Sequence, residues 1–341
     1  MLSLAELLAI VGAFFCIATF FVDALTKSIH TQNQGERKCA GSHVRIAGAG
    51  KQELMGHGGV LMANESTVAS RYPALDVARY RSASPSLVDT LLEGARTMSE
   101  AATLTVIWRW LRHHSRVQDH REQPVMVLPG FLGGDASTIV LRRFLGDLGF
   151  TVHPWLLGTN DGTERLQNEL LRRFLRLSQT YKRPIALVGH SLGGVFAREL
   201  ARQFPQQVSQ VITLGSPFAI ADPNSVNRLV SLLFERISGE SVEDKRISML
   251  HAEPHHPTGV PSTAIYSRTD GVVHWRSCLE QHTAITQNIE VWGSHCGLVV
   301  NPSVLFAVAD RLDQRAGQWR RFDYTKGPSK LMFPVDKAIY A

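Results

Sequence analysis

Cysteine is scarce in this sequence, which has four among 341 residues. Cys16 lies in an apolar run and Cys39 in a polar stretch, and neither stands at the spacing of metal ligands. The histidine-rich stretch HAEPHH, residues 251–256, does not match a zinc-binding pattern either. The sequence therefore predicts no metal site, and the chemistry that its motifs indicate needs no cofactor.

Clusters of one charge sign are also missing. The net charge of +6 comes from 36 basic and 30 acidic residues, and the basic ones occur in scattered pairs on segments with helical periodicity. A nucleic-acid-binding surface needs clustered lysine and arginine with interleaved aromatic residues, so nucleic acid is not a predicted partner. With 44% hydrophobic and 19% charged residues, the composition is that of an ordinary globular protein.

Long hydrophobic runs are rare, and the one near the N-terminus, Leu7–Val22, falls just short of the ~20 residues that span a bilayer. No lysine or arginine precedes Lys27, whereas a signal peptide carries positive charge before its apolar run. We therefore expect residues 1–25 to be an uncleaved membrane anchor, with Lys27, Arg37 and Lys38 favouring a cytoplasmic location for the rest of the chain. A cleaved signal and a buried or mis-started segment are the alternatives, so cytoplasmic and secreted locations stay open.

The rest of the chain divides into an extension, a helix and one main domain. Residues 26–85 lack sustained periodicity and predict a linker or poorly ordered extension. Residues 86–120 carry apolar side chains at helical spacing, after a serine-flanked proline that is typical of a helix start. We expect this lead-in helix to pack onto the main domain; contact of its aromatic and cationic end with a membrane surface is the alternative. Residues 121–341 are assigned to the main domain.

Short apolar runs alternate with amphipathic segments from Pro124 onwards. The runs PVMVLPG, FTVHPW, IALVG, VSQVITLGSP, PSTAIYS and NIEVWGS predict strands, and the segments between them predict helices. This alternation is typical of an α/β fold in which a mostly parallel sheet carries helices on both faces. It breaks at about residues 217–261, which predict a small helical cap or lid insertion.

The stretch IALVGHSLGG, residues 185–194, places a serine between glycines where a predicted strand meets a predicted helix. Residues Gly189–Gly193 match G-x-S-x-G in the strand–turn–helix setting that the motif requires. A sharp turn strains the serine backbone and crowds its flanks, and glycines relieve the crowding. Ser191 is therefore the predicted nucleophile, and the helix N-terminus behind it can stabilise a developing oxyanion.

A serine nucleophile needs a base, and the base needs an orienting carboxylate. Asp270 and His295 each follow a predicted strand, so both are expected at the edge of the sheet where Ser191 lies. Their order along the chain, serine then acid then histidine, fits a nucleophile turn of this kind. Asp222 is the alternative acid, and the other histidines, His274 among them, are weaker candidates for the base.

The oxyanion donors are predicted from two turns. The N–H of Leu192 follows the nucleophile directly, and a second donor is expected from the loop LPGFLGGDAST after the first strand. Phe131 is the preferred second donor and Leu132 the alternative. The alternative is that this loop is only a tight glycine-rich turn without a catalytic role.

Together these segments resemble the α/β-hydrolase superfamily, especially its lipase- and esterase-like bacterial members. The matching pieces are LPGFLGG, LVGHSLGG, ITLGSPF, YSRTDGVVHW and GSHCGLVVNPSVL, spread over about residues 124–312. The resemblance implies an α/β-hydrolase fold, the triad roles of Ser191, Asp270 and His295, and a lid formed by the cap insertion. The chain departs from many lipases at Pro129, because those enzymes have a histidine before the glycine of this loop.

The predicted function is a serine carboxylic-ester hydrolase, an esterase or lipase, that acts on an apolar ester through an acyl-enzyme. An acyltransferase with the same triad and a non-catalytic binding protein with the same fold are the alternatives. The expected partner is a small-molecule or lipid ester, and the oligomeric state is left open. Cys278 follows Asp270 in one loop, the acid loop, and Cys296 follows His295 in another, the histidine loop. The two cysteines either bridge these loops or stay free, as a reducing compartment would require.

Overall fold

The structure, a computed structural model, describes the chain from the lead-in helix onwards. The described residues are 84–115, 123–219, 226, 228–239, 258–314, 317–325 and 327–334. The predicted anchor (1–25), nearly all of the predicted linker (26–85) and much of the predicted cap (217–261) lie outside them. Within the ranges that are described, no helix is both long and apolar enough to cross a membrane.

Six strands form one sheet in the order β2-β1-β3-β4-β5-β6. They are β1 (Pro124–Leu128), β2 (Thr151–His153), β3 (Ile185–His190), β4 (Val208–Leu214), β5 (Ser262–Ser267) and β6 (Thr286–Val291). Each neighbouring pair is parallel. Each strand overlaps a segment that the sequence predicted, although β3 continues to His190 and β6 begins earlier, at Thr286.

Helices cover both faces of this sheet. They are α1 (Leu87–His114), α2 (Ile139–Asp147), α3 (Glu164–Tyr181), α4 (Leu192–Gln203), α5 (Arg228–Ser238), α6 (Pro302–Leu312) and α7 (Ser329–Met332), with short 3-10 turns at Trp275–Cys278 and Cys296–Val299. The predicted start of α1 is seen in its cap, where Ser86 Oγ accepts the Asp89 N–H at 3.3 Å. The α/β class, with a parallel sheet between helices, is confirmed.

Side chains of successive strand residues alternate between two apolar cores, because the side-chain period of a strand is two. Val125 and Val127 of β1 contribute to a core with α1, α2 and α6, whereas Met126 and Leu128 contribute to a core with α3 and α4. Helix α1 enters the first core through four buried side chains, Ala101, Leu104, Trp108 and Leu111. The lead-in helix therefore packs onto the main domain, as expected from the sequence.

The direction of the chain across the sheet reverses at β1. From β1 the chain moves outward to β2, and from β2 it crosses back to β3 on the other side of β1. The loops that leave the carboxyl ends of β1 and β3 therefore diverge, and such a switch point opens a crevice in α/β sheets. The loop after β1 carries Phe131 and the turn after β3 carries Ser191, so the fold brings these two predicted site segments to one crevice.

Candidate active site

Ser191 occupies a strained turn between β3 and α4. Its backbone has φ 50° and ψ −123°, a region that costs a non-glycine residue about 1–3 kcal/mol and is found mainly at functional sites. The Ser191 N–H donates to the carbonyl of Leu214 at 2.8 Å, and α4 begins at the next residue, Leu192. The partly exposed serine is therefore held at the carboxyl edge of the sheet by its backbone.

Close backbone contacts explain the glycines on either side of this serine. A Cβ at Gly189 would lie 2.4 Å from the carbonyl oxygen of Gly193, and a Cβ at Gly193 would lie 2.5 Å from the carbonyl oxygens of Leu128 and Pro129. No side chain fits at such distances, so the glycines are required by the packing of α4 against β1 and β3.

Asp270 and His295 are in direct contact at the same edge of the sheet. The Oδ2 of Asp270 lies 2.7 Å from Nδ1 of His295, and each residue is only 4% exposed. The other carboxylate oxygen accepts the N–H groups of Val272 at 2.9 Å and Val273 at 2.7 Å. A proton on Nδ1 of His295 satisfies the carboxylate and leaves Nε2 as the acceptor, which is the tautomer that a general base needs.

The electrostatic surroundings favour the protonated form of His295. Burial disfavours a charged ring, but the charge of Asp270, the hydrogen bond between them and the charge of Glu93 outweigh burial and raise the pKa of His295 above its ordinary value. A base with a raised pKa accepts a proton more readily. The pair can therefore take a proton from a nucleophile and return it to a leaving group.

His190 connects the nucleophile turn to the loop that carries His295. Its Nε2 lies 3.0 Å from the carbonyl oxygen of His295, and the two ring centroids are 5.0 Å apart. Burial, and then the charge of His295, lowers the pKa of His190 to about 3. The neutral ring donates its Nε2–H to that carbonyl, which holds the histidine loop against the turn of Ser191.

The loop after β1 packs against the nucleophile turn. A Cβ at Gly130 would lie only 3.1 Å from the Cβ of Ser191. The N–H of Leu132, the alternative second donor, already donates to the carbonyl of Asn160 at 2.8 Å. Phe131 therefore stays the preferred donor from this loop.

Leu192 is the other predicted donor and lies at the start of α4, where N–H groups have no intrahelical acceptor.

Phe234 of α5, within the predicted cap, packs on the loop after β1, with its ring centroid 5.3 Å from that of Phe131. A Cβ at Gly162 would lie 2.6 Å from the Phe234 ring and 3.4 Å from Cδ2 of Leu192. Phe131, Leu192 and Phe234 therefore form an apolar wall beside the nucleophile turn.

Helix α1 makes polar contacts to the site that were not predicted from the sequence. Glu93 accepts the N–H groups of Gly271 and His295 at 2.7 and 2.9 Å. Glu100 accepts the N–H of Ser294 at 2.7 Å. Both acids lie on the face of α1 that also carries its buried apolar residues. No sequence signal marks this face, because other apolar residues at helical spacing are exposed.

Two of the alternatives for the site lie outside the described residues, namely Asp222 and the stretch 251–256. His274 is half buried, and its ring lies 5.8 Å from that of Trp275. The structure thus shows the Asp270–His295 contact and no geometry for Asp222.

Cys278 and Cys296, near the loops of Asp270 and His295, are both free thiols, so the bridge considered from the sequence is not formed. Cys278 is buried in a small cluster with Tyr266 and Val273. Cys296 starts a 3-10 turn, and its N–H donates to Glu93 at 3.3 Å. Hydrogen bonds rather than a disulfide therefore connect the two loops.

Comparison with known proteins gives one family and several distant structures. Residues 123–241 match a family model described as alpha/beta hydrolase fold. The chain is similar to Aspergillus fumigatus lipase B, with 18% identity over 61% of this chain and 56% of that one and a TM-score of 0.47. It is also similar to a Paleococcus ferrophilus monoacylglycerol lipase, with 16% identity over 56% of this chain and 93% of that one and a TM-score of 0.42. No curated protein matches the sequence.

The family match begins at β1 and ends just after α5, so it spans the Phe131 loop and the Ser191 turn. Helix α1 and the loops of Asp270 and His295 lie outside the matched residues, and their arrangement is seen from the geometry alone. The all-parallel sheet and the family match together show that this chain has the α/β-hydrolase fold.

Proposed function

We propose that this chain is a serine hydrolase that cleaves carboxylic esters. The observation that carries the proposal is the buried Asp270–His295 pair, 2.7 Å apart, which His190 ties to the strained turn of Ser191. The fold by itself does not imply catalysis. A nucleophile, a base and an orienting carboxylate at one edge of the sheet support it.

In the proposed reaction the Oγ of Ser191 attacks the ester carbonyl carbon while Nε2 of His295 takes the hydroxyl proton. Asp270 orients the ring and stabilises the imidazolium, and the N–H groups of Phe131 and Leu192 hold the oxyanion. His295 then returns the proton to the alcohol oxygen as the C–O bond breaks, which leaves the acyl group on Ser191. Water, deprotonated by His295, attacks the acyl-enzyme and releases the acid.

The wall beside the nucleophile supports an apolar acyl or alcohol group in the substrate. Phe131, Leu192 and Phe234 contribute aromatic and aliphatic surface without a charged side chain. Burying such surface against an apolar substrate contributes roughly 25 cal/mol per Å². A lipid-like ester therefore suits this site better than a small polar one.

We also infer that the chain works at a lipid surface. Seven large apolar side chains of α1 are exposed: Leu87, Val88, Leu91, Leu92, Met98, Val106 and Trp110. Leu91 is 74% exposed and follows Thr90, whose Oγ1 donates to the carbonyl of Gly271 in the acid loop at 2.7 Å. The helix that carries this apolar face therefore contacts the acid loop through its first turns, and the apolar run Leu7–Val22 in the sequence supports the same conclusion.

A series of p-nitrophenyl esters of increasing acyl length, run on the wild type and on Ser191→Ala, tests the activity and its substrate class. We expect hydrolysis that rises with acyl length and is lost in Ser191→Ala. A maximum at the shortest chains would contradict a lipid-like substrate, and equal rates in both proteins would contradict the hydrolase. Added alcohol in the same assay measures transfer, since an acyltransferase would give ester product in preference to free acid.

Vesicle flotation tests the lipid surface. Leu91→Gln combined with Val106→Gln removes two exposed apolar side chains of α1, and Leu331→Gln is the matched control because that residue is 88% exposed on α7. We expect the double variant to lose vesicle binding and the control to keep it. Equal flotation of the wild type and the double variant, in protein lacking residues 1–25, would contradict a role for this face.

A further inference from the structure

Helix α1 carries a row of polar residues on the face that it packs against the catalytic loops. Glu93, Thr97 and Glu100 follow one another at helical spacing, and Glu93 and Thr97 are 9% and 1% exposed. The same face continues into the core at Leu104 and Trp108. Burying a carboxylate costs free energy unless hydrogen bonds satisfy it. The hydrogen-bond partners of Glu93 therefore indicate its structural role.

Glu93 joins the acid loop to the histidine loop. Its Oε1 accepts the N–H of Gly271 at 2.7 Å and the N–H of His295 at 2.9 Å, and its Oε2 accepts the N–H of Cys296 at 3.3 Å. Gly271 directly follows Asp270 in the chain. One carboxylate therefore holds the backbone at both members of the Asp270–His295 pair.

Neighbouring residues of α1 hold the acid loop separately. Thr90 Oγ1 donates to the carbonyl of Gly271 at 2.7 Å, and Arg96 donates to the carbonyl of Thr269 at 2.9 Å. Arg96 is itself fixed by Asp89 at 2.7 Å. These bonds keep the first turns of α1 against the loop, so the position of Glu93 relative to Gly271 is well determined.

The next turn of α1 holds the histidine loop. Thr97 Oγ1 lies 2.8 Å from Ser294 Oγ, and Glu100 accepts both the Ser294 N–H at 2.7 Å and the Ser294 hydroxyl at 3.1 Å. Ser294 immediately precedes His295. Glu93 therefore lies between a group of contacts to one loop and a group of contacts to the other.

Glu93 also acts on the histidine through its charge. Burial and then the charge of Asp270 raise the pKa of Glu93, while His295 and the N–H groups of the two loops act in the opposite direction. Glu100 and Cys296 are the other titratable groups near this carboxylate. The negative charge of Glu93 favours the protonated ring of His295.

We propose that Glu93 is a positioning residue that sets the geometry of the Asp270–His295 pair from a helix outside the matched family region. It contacts neither the substrate nor the reacting atoms, and it acts through the two loops that it joins. The proposal rests on the hydrolase proposed above and assigns a further residue to that site.

Three variants separate positioning from simple stabilisation. Glu93→Ala removes the bridge, and we expect kcat to fall about 100-fold, the cost of a small misplacement of catalytic groups. The KM should change less than about threefold because substrate binding is untouched. Glu93→Gln keeps an oxygen for Gly271 and His295 but loses the charge, so kcat should fall less than in Glu93→Ala. The ascending limb of the pH–rate profile should move to lower pH, because the charge of Glu93 raises the pKa of His295. Glu169→Gln, on the exposed side of α3, should match the wild type.

The titration of His295 by NMR provides a readout that does not depend on turnover. In protein with ¹⁵N-labelled histidine, assigned with His295→Gln, we expect a downfield Nδ1–H signal that weakens in Glu93→Ala. We expect the midpoint of the ring titration to be lower in Glu93→Gln than in the wild type. Thermal unfolding shows whether each variant is folded at the temperature used.

The outcomes distinguish the two proposals. Suppose that the wild type hydrolyses esters and that the folded Glu93 variants have the same kcat, the same pH–rate profile and the same His295 titration. The positioning role is then wrong and the hydrolase stands. If the wild type fails to react while the Nδ1–H signal of His295 still weakens in Glu93→Ala, the hydrolase is wrong and the effect of Glu93 on the geometry of the pair stands.

Discussion

The backbones of Gly271 and Asp89 approach so closely that a Cβ on Gly271 would lie 2.5 Å from the carbonyl carbon and oxygen of Asp89. Gly271 is not among the glycines with positive φ, so its backbone conformation is not the reason for glycine here. The acid loop and the first turn of α1 fit together only without a side chain at this position.

Gly271→Ala should therefore push the acid loop away from α1 and disturb Asp270, the preceding residue. We expect kcat to fall at least about tenfold and the free energy of unfolding to fall by about 1–3 kcal/mol, as for other overpacked sites. Steady-state kinetics and urea unfolding measure the two effects. Gly146→Ala on α2 is the control, because a Cβ there meets no atom within 4 Å; an equal effect of both substitutions would contradict the close contact.

Asp270→Asn tests the orienting carboxylate. The amide cannot fix the same tautomer of His295, and we expect kcat to fall about 10⁴-fold. Since the charge of Asp270 contributes to the raised pKa of His295, any residual activity should have its ascending limb at lower pH. Asp323→Asn, in a turn far along the chain where it accepts the N–H of Thr325, is the control. A pH profile that does not move would show that Asp270 is not the partner of the base.

The buried ion pair between Arg198 of α4 and Glu280 should be costly to break on one side only. Their side chains are 2% and 0% exposed, Ser262 Oγ donates to Glu280 at 2.6 Å, and the guanidinium lies 3.8 Å from the ring centroid of Phe218. We expect Arg198→Met or Glu280→Leu alone to lower the free energy of unfolding by about 3–5 kcal/mol, because each leaves a buried charge.

The double variant Arg198→Met/Glu280→Leu should lose far less than the two single variants added together. Urea unfolding of all four proteins completes the cycle. Additive losses would show that the two side chains do not act as a buried pair.

Glu100 predicts a dependence of stability on pH. Burial raises the pKa of Glu100 from its ordinary value of 4.5 to about 7 in the folded chain, although the bonds from Ser294 oppose the shift. The contribution of Glu100 to stability is therefore complete below pH 4.5 and is lost as the pH rises through about 7. Compared with Glu100→Gln, the wild type should lose stability between pH 5 and pH 8, as measured by urea unfolding at about those two values. If the free energies of unfolding of the wild type and Glu100→Gln change equally with pH, the raised pKa of Glu100 is contradicted.

The fold was predictable because its information is local. The six strands and the helices between them follow from apolar runs and helical periodicity, and the turn of Ser191 follows from glycines on both sides of one serine. The choice between Phe131 and Leu132 as the second oxyanion donor could not be made from the residues of the loop itself. It depends on Asn160, whose carbonyl takes the N–H of Leu132, and no pattern within the loop shows that contact.

The part of the site that lies on α1 could not be obtained by the same reasoning. Glu93 is 178 residues from Gly271 and 202 from His295 along the chain, and only the packing of α1 brings them together. Sequence periodicity identified the helix but not its core face, because Leu87, Leu91 and Met98 also recur at helical spacing and are exposed. It did not indicate which loops this face would meet, so the acids on it had no predicted partners.

Covalent labelling shows whether Ser191 is an activated nucleophile. The wild type and Ser191→Ala are incubated with an alkyl fluorophosphonate, and intact-mass and peptide mass spectrometry locate the adduct. We predict one adduct in the wild type, on Ser191, and none in Ser191→Ala. A folded wild type without an adduct, or equal labelling of the two proteins, would contradict the account.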